Sequence, residues 1–139
     1  EKIVDDINDL KKSMAEVGIE VDDYSSGGGV DLVGTAGTIT TLAALEQELE
    51  IYNPQRINNF IINKDRLKAL YENLSTATIE ERLTLKGLES GREDLIVAGA
   101  AIARKVAEEF GFSILKVSDG GLLEGILLKE IWQTDGLGA

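Results

Sequence analysis

Apolar positions recur along this chain at helical spacing, broken by short apolar runs and glycine knots. Ile3, Ile7, Leu10, Met14 and Val17 stand four, three, four and three residues apart. That rhythm predicts an amphipathic helix over 1–17, closed by Gly18 at a C-cap position. Residues 22–29, DDYSSGGG, are polar and glycine-rich and read as a flexible connection. A short strand is expected over 30–34. Ile39, Leu42, Leu45 and Leu49 then line one helical face to about residue 50. Residues 53–58, which hold the sole proline, Pro54, break the pattern. NFIIN (59–63) reads as a short edge strand, and Asn63 caps a helix carrying Leu67, Leu70, Tyr71 and Leu74.

Thr78 and Glu81 form a capping-box pattern for a short helix through Leu83. Ser90 and Glu93 form a second, expected to open the longest helix, whose shared face is Leu95, Gly99, Ile102, Val106 and Phe110 and whose end is Gly111. Residues 112–118 give the clearest strand. A glycine turn and a final helix follow over 119–132, with Trp132 read as a plug for an apolar gap and 133–139 as a frayed tail. The order is that of an α/β arrangement with at least two parallel strands, its core over 30–132. Two or three strands make a narrow sheet for such long apolar helices. A piece of sheet is therefore expected from another segment or another chain.

The 139 residues fit one unit large enough to bury a core. Cysteine and histidine are both absent. Disulfide scaffolds, thiolate metal sites, imidazole bases and His-ligated zinc are thereby excluded, and a cytoplasmic setting is expected. Chemistry must rest on carboxylates, cationic side chains, hydroxyls, backbone N–H groups or a hard cation on oxygen ligands. A net charge of -11 argues against a nucleic-acid duplex as partner. No apolar run reaches the roughly 20 residues of a membrane span, so no membrane association is expected.

Both clear strands run into small-residue turns that open helices: Gly34-Thr35-Ala36-Gly37-Thr38 and Asp119-Gly120-Gly121. In open α/β sheets ligands bind beyond the carboxyl ends of strands, and helix-start N–H groups attract phosphate. A plain strand-to-helix turn is the competing reading. Neither the dinucleotide fingerprint nor the P-loop ending is present.

The blocks LVGTAGTITTLAALE (32–46), GLESGREDLIVAGAAIARKV (87–106) and ILKVSDGGLLEGILL (114–128) resemble, in order and spacing, the exopolyphosphatase and guanosine pentaphosphate phosphohydrolase (Ppx/GppA) family. The resemblance covers about 30–131. It implies a ribonuclease-H-like half-domain of the actin-like ATPase and sugar-kinase superfold, with this chain as the C-terminal part of a second domain. The first domain, carrying the catalytic carboxylate, and an Asp-x-Gly-Gly-Gly-Ser phosphate loop would lie upstream; SSGGG (25–29) is not that loop. The implied activity is hydrolysis of terminal phosphoanhydrides in inorganic polyphosphate or a guanosine penta- or tetraphosphate, with Mg²⁺. No catalytic residue is then expected within this chain, and the chain alone would be inactive.

On this resemblance Gly34, Thr35, Ala36, Gly37, Thr38, Arg92, Gly120 and Gly121 are candidate phosphate ligands. Each has a structural alternative: a turn for the glycine loops, a local salt bridge for Arg92. Asp119 and Glu124 are weak Mg²⁺ candidates, and Asp119 reads first as a helix N-cap. The chain departs from the family's GLREG pattern in carrying Leu123 at the arginine position. That departure keeps open a non-catalytic nucleotide or phosphate sensor. A ligand-free assembly domain, self-associating through its sheet edge as a homodimer, also stays open. The run 98–101 reads as a packing and hinge surface at a domain interface, and 46–48 and 80–82 as solvated helix faces.

Overall fold

The computed structural model describes residues 2–19 and 30–134, with side chains to Ile131. The expected connection over 22–29, the side chain of Trp132 and residues 135–139 lie outside the described residues.

Helix α1 (Lys2–Glu16) ends as its glycine predicts. Gly18 adopts φ 79, and the Ile19 and Gly18 N–H groups return to the carbonyls of Met14 and Ala15 at 3.0 Å each. This Schellman closure needs a left-handed residue, which glycine supplies without steric cost. Strand β1 is shorter than expected, Val33–Gly34, and leads into α2 (Ala36–Glu46). The apolar rhythm through Leu49 overran the end of α2. Another Schellman turn closes it, with Leu49 N–H on Ala44 O and Glu48 N–H on Leu45 O, both 3.0 Å. Here a glutamate, Glu48, holds the left-handed position at φ 49. Leu49 is buried nonetheless, folded back beyond the helix end.

The break over 53–58 contains a single-turn helix, α3 (Pro54–Ile57). Asn53 caps it, accepting from the N–H groups of Gln55 and Arg56, and Pro54 fills the first position, where no N–H is needed. Strand β2 (Ile61–Asn63) is an edge strand, as expected, and Asn63 caps α4 (Lys64–Thr76) through the Arg66 N–H at 2.9 Å. The Thr78–Glu81 box closes around α5 (Ile79–Leu83), with both reciprocal bonds made.

The second box does not form. Helix α6 (Leu95–Glu109) starts beyond it, and the Glu93 carboxylate takes the Gly91 N–H at 2.8 Å instead of that of Ser90. The buried face of α6 is also displaced by one residue from the expected one. Ile96, Ala100, Ala103 and Ala107 face the core, while Leu95 and Ile102 are 71% and 50% exposed. Only Phe110 of the expected face is buried. Small residues win because α6 packs against both α4 and α2 and must approach them closely. An added Cβ on Gly99 would stand 2.2 Å from Thr38 Cγ2. Within the run over 98–101, Gly99 and Ala100 serve packing, as expected. Strand β3 (Ile114–Val117) and α7 (Leu122–Thr134) complete the order; residues 133–134 belong to α7, not to a tail.

The sheet order is β1-β3-β2, β1 parallel and β2 antiparallel to the central β3. Val33 pairs with Lys116, and Ile61 pairs with Lys116 from the other side. Leu115, Val117 and Ile62 face α2, α4 and α6, forming one core with Leu42, Leu67, Leu74 and Ile96. On the other side Val33 and Ile61 remain about half exposed. An apolar groove of about 300 Å³, lined by Val33, Ile39, Gly99, Ile102 and Val106, runs along β1. Leu122, Leu123 and Leu127 of α7 are also exposed. A helix apolar on most sides is normally buried, so the sheet face, the groove and α7 match the incomplete sheet expected from the pattern.

Candidate functional site

The carboxyl ends of β1 and β3 lie side by side because the strands are parallel neighbours. Their two small-residue turns therefore meet. Thr35 Oγ1 donates to the Gly120 carbonyl at 2.8 Å, tying together loops 85 residues apart. This bond has a consequence for α2. Thr35 is its N-cap residue, yet its hydroxyl makes no capping bond. The first-turn N–H groups of α2 have no partner within the helix, and that end carries the positive pole of the helix dipole. Ala36, the first residue of α2, is held at φ 68, a conformation that costs an L-residue about 1–2 kcal/mol.

Arg92 completes this corner. Its guanidinium lies over Gly37, so close that an added Cβ would stand 2.4 Å from Nη1. Its Nε donates to Glu89 Oε2 at 2.8 Å. Arg92 thus makes the local salt bridge and also stands at the glycine loop. The side chains of this pair are 39% and 58% exposed, and such a pair holds by no more than about 1 kcal/mol. An incoming anion can draw Arg92 from Glu89 at small cost. Gly34 has a packing reason for being glycine, since a Cβ there would meet Ile39 at 2.9 Å, and Gly99 admits Thr38 in the same way.

The second turn is arranged differently. Glu124 Oε2 accepts the Gly121 N–H at 2.8 Å, and this bond holds its carboxyl below the usual glutamate range. Glu124, not Asp119, therefore caps α7, and the Gly121 amide reaches a ligand only if Glu124 yields. Asp119 accepts from the Tyr52 hydroxyl, while its own N–H donates to Asn58 Oδ1 at 3.1 Å. Partial burial first, and then the bond to Asp119, push the Tyr52 hydroxyl above the usual tyrosine value. Asp119, Gly120 and Glu124 border a shallow depression with Pro54, Gln55 and Asn58.

The two Mg²⁺ candidates, Asp119 and Glu124, both have partners within the protein. Among the described residues no three carboxylates converge. One oxygen of Asp119 is engaged by Tyr52, and Glu124 is turned onto a backbone amide.

Three side chains on faces expected to be solvated make contacts that the sequence does not predict. Glu46 is nearly buried and paired with Arg66, although it was placed on a solvated face. Its neighbour Gln47 donates to the carbonyls of Ala43 and Arg56 at 3.1 Å. Arg82, also assigned to solvent, is half-buried and donates to three carbonyls: Leu74 at 2.9 Å, Ala77 at 2.8 Å and Glu93 at 2.9 Å. Only the short spacing from Leu74 and Ala77, at the end of α4, offered a signal for it.

A sheet with helices on one face and two loops meeting at its carboxyl edge is the arrangement of an open α/β domain that binds its ligand there. The Ppx/GppA phosphatase family model matches residues 2–133, and the chain belongs to that family. A solved Ppx/GppA family member from Aquifex aeolicus superposes with a TM-score of 0.72 at 36% identity, covering 76% of this chain and 35% of that one. Exopolyphosphatase 2 of Mycobacterium tuberculosis is 35% identical over 100 residues, 69% of this chain and 31% of that protein. A bifunctional 3-dehydroquinate synthase/phosphatase of Fusobacterium nucleatum is 29% identical over 101 residues, 72% of this chain and 15% of that protein. The chain spans a third or less of these curated relatives. No helix among the described residues is long and apolar enough to cross a membrane.

Proposed function

We propose that this chain forms one wall of the phosphate site of a phosphohydrolase that removes terminal phosphoryl groups from inorganic polyphosphate or a guanosine penta- or tetraphosphate. In this reading the chain is the C-terminal part of a second domain, and the catalytic carboxylate comes from a first domain upstream. An upstream strand pairing with the free edge of β1 would fill the groove beside Val33 and Ile102. The observation that carries the reading is the corner where Arg92 covers Gly37 beside the uncapped start of α2. A terminal phosphate there would meet backbone N–H groups, the Thr38 hydroxyl and a guanidinium that surrenders only a surface ion pair. Phosphoryl transfer depends mainly on positioning and on neutralising charge, which such donors supply. No step is assigned to a metal here.

The test is phosphate release from polyphosphate by the intact protein, alongside an amide titration of residues 34–38 with tripolyphosphate. Release together with shifts at Gly37 and Thr38 is expected; shifts without release refute the enzyme reading. A phosphate sensor of the same fold is the second reading. It is favoured by Leu123, which stands 73% exposed where the resembled motif has an arginine. An absence of shifts refutes both and leaves an assembly domain.

A further inference from the structure

Arg92 reaches Gly37 from a segment, residues 84–94, that has no helix or strand of its own. Besides the exposed Lys86–Glu50 ion pair at 2.6 Å and Leu88 packed against the core, two contacts fasten the segment. Gly87 lies flat against α2, where an added Cβ would stand 2.5 Å from the carbonyl of Ala44. The second fastening is Arg82. Its Nε and Nη2 hold the carbonyls of Leu74 and Ala77 at the C-terminal end of α4, and its Nη1 holds the carbonyl of Glu93. The cation thereby serves carbonyls that α4 leaves unpaired, at the negative pole of its dipole. With the remaining arm it fixes the peptide next to Arg92. A planar guanidinium suits this task, because its donors leave in fixed directions.

We propose that Arg82 is a positioning residue for Arg92, setting the height at which the Arg92 guanidinium stands over the start of α2. The proposal rests on the phosphate-site reading above. Without the bond to Glu93 O, the segment loses its tie to α4, and residues 91–93 keep near-neighbour bonds: Glu93 to the Gly91 N–H, the Arg92–Glu89 pair, Arg92 N–H to Glu89 O at 3.2 Å and Ile96 N–H to Arg92 O at 2.9 Å. Arg92 would then sample many positions, and a charged hydrogen bond to an anion would be made only part of the time. Losing such a bond weakens binding about tenfold or more.

The experiment is a double-mutant cycle on the intact protein, with tripolyphosphate as probe and affinity read by calorimetry. Arg92→Ala is expected to weaken binding about tenfold. Arg82→Ala is expected to weaken it about threefold to tenfold, and to add little to the loss already caused by Arg92→Ala in the double variant. If Arg82→Ala fails to fold by circular dichroism, Arg82→Lys replaces it, since one ammonium cannot hold all three carbonyls in the guanidinium's geometry. A readout without ligand accompanies the cycle. The Arg92 Nε–H resonance, held by Glu89, is expected to move to the position of free arginine in Arg82→Lys. An Arg82 variant that binds as wild type, one whose effect adds fully to that of Arg92→Ala, or an unmoved Nε–H resonance overturns the proposal. Unchanged binding in Arg92→Ala overturns the phosphate-site reading itself, and the resonance still decides whether Arg82 positions Arg92.

Discussion

Gly87→Ala probes the other fastening of the 84–94 segment. Gly87 holds φ 91, a region that costs an L-residue about 1–2 kcal/mol. The new methyl would stand 2.5 Å from the carbonyl carbon and oxygen of Ala44 and 2.7 Å from Leu45 N. All three atoms are backbone in the body of α2, so no side chain can swing aside. Overpacking of this kind adds about 1–3 kcal/mol. The expected loss is about 2–5 kcal/mol, a large part of the roughly 5–15 kcal/mol that holds a domain of this size together. Urea unfolding should show a lower midpoint with an unchanged slope. Gly91→Ala is the internal control. It shares the left-handed backbone, at φ 88, but has nothing within 4 Å of its added Cβ, so it should lose only the conformational part. Equal losses in the two variants, or a loss below about 1 kcal/mol at Gly87, would refute the packing argument.

Three further outcomes follow from single residues. Glu48→Gly should stabilise the protein by about 0.5–1 kcal/mol, because relief of the left-handed strain exceeds the entropy glycine returns to the unfolded chain; a lower melting temperature would contradict this. Glu124 should titrate below the usual glutamate range in an NMR pH series, owing to the Gly121 N–H. A depressed folded pKa stabilises at pH above the ordinary glutamate value, and that share is lost as pH falls through the lowered one. Glu124→Gln should flatten this acid-side dependence, and an unaltered profile would remove Glu124 as the cap. Gly37→Ala should leave stability within about 1 kcal/mol, since the atom it meets is the free end of Arg92, while tripolyphosphate affinity falls. Affinity equal to wild type would show that Arg92 does not act from above Gly37.

The caps were legible because they are local. Asn63 and Thr78, and the glycines 18 and 111, each act on backbone groups within five residues, and each formed as its spacing predicts. The failures have equally local causes. Ser90 and Glu93 have the capping-box spacing, but the Gly91 N–H stands closer to the carboxylate and takes it. Leu49 continues a helical rhythm yet lies beyond the helix, because a left-handed turn returns it to the same core. The glycine loops and Arg92 could be named in advance, whereas their contact could not.

Chain order and residue type settled the α/β class, the helix ends at Gly18, Asn63, Thr78 and Gly111, the narrowness of the sheet and the family's three motif blocks. Tertiary structure alone chose the buried face of α6. Hydrophobicity favours the line through Leu95 and Ile102, but beyond Ile96 close approach to α2 and α4 favours small side chains, so Ala100, Ala103 and Ala107 turn inward. It also converted Arg82 from a surface charge into a clamp on three carbonyls, and joined Thr35 to Gly120 across 85 residues. Periodicity records what each residue prefers toward water. Which groups meet depends on the distance between elements, and that distance exists only once the elements are packed.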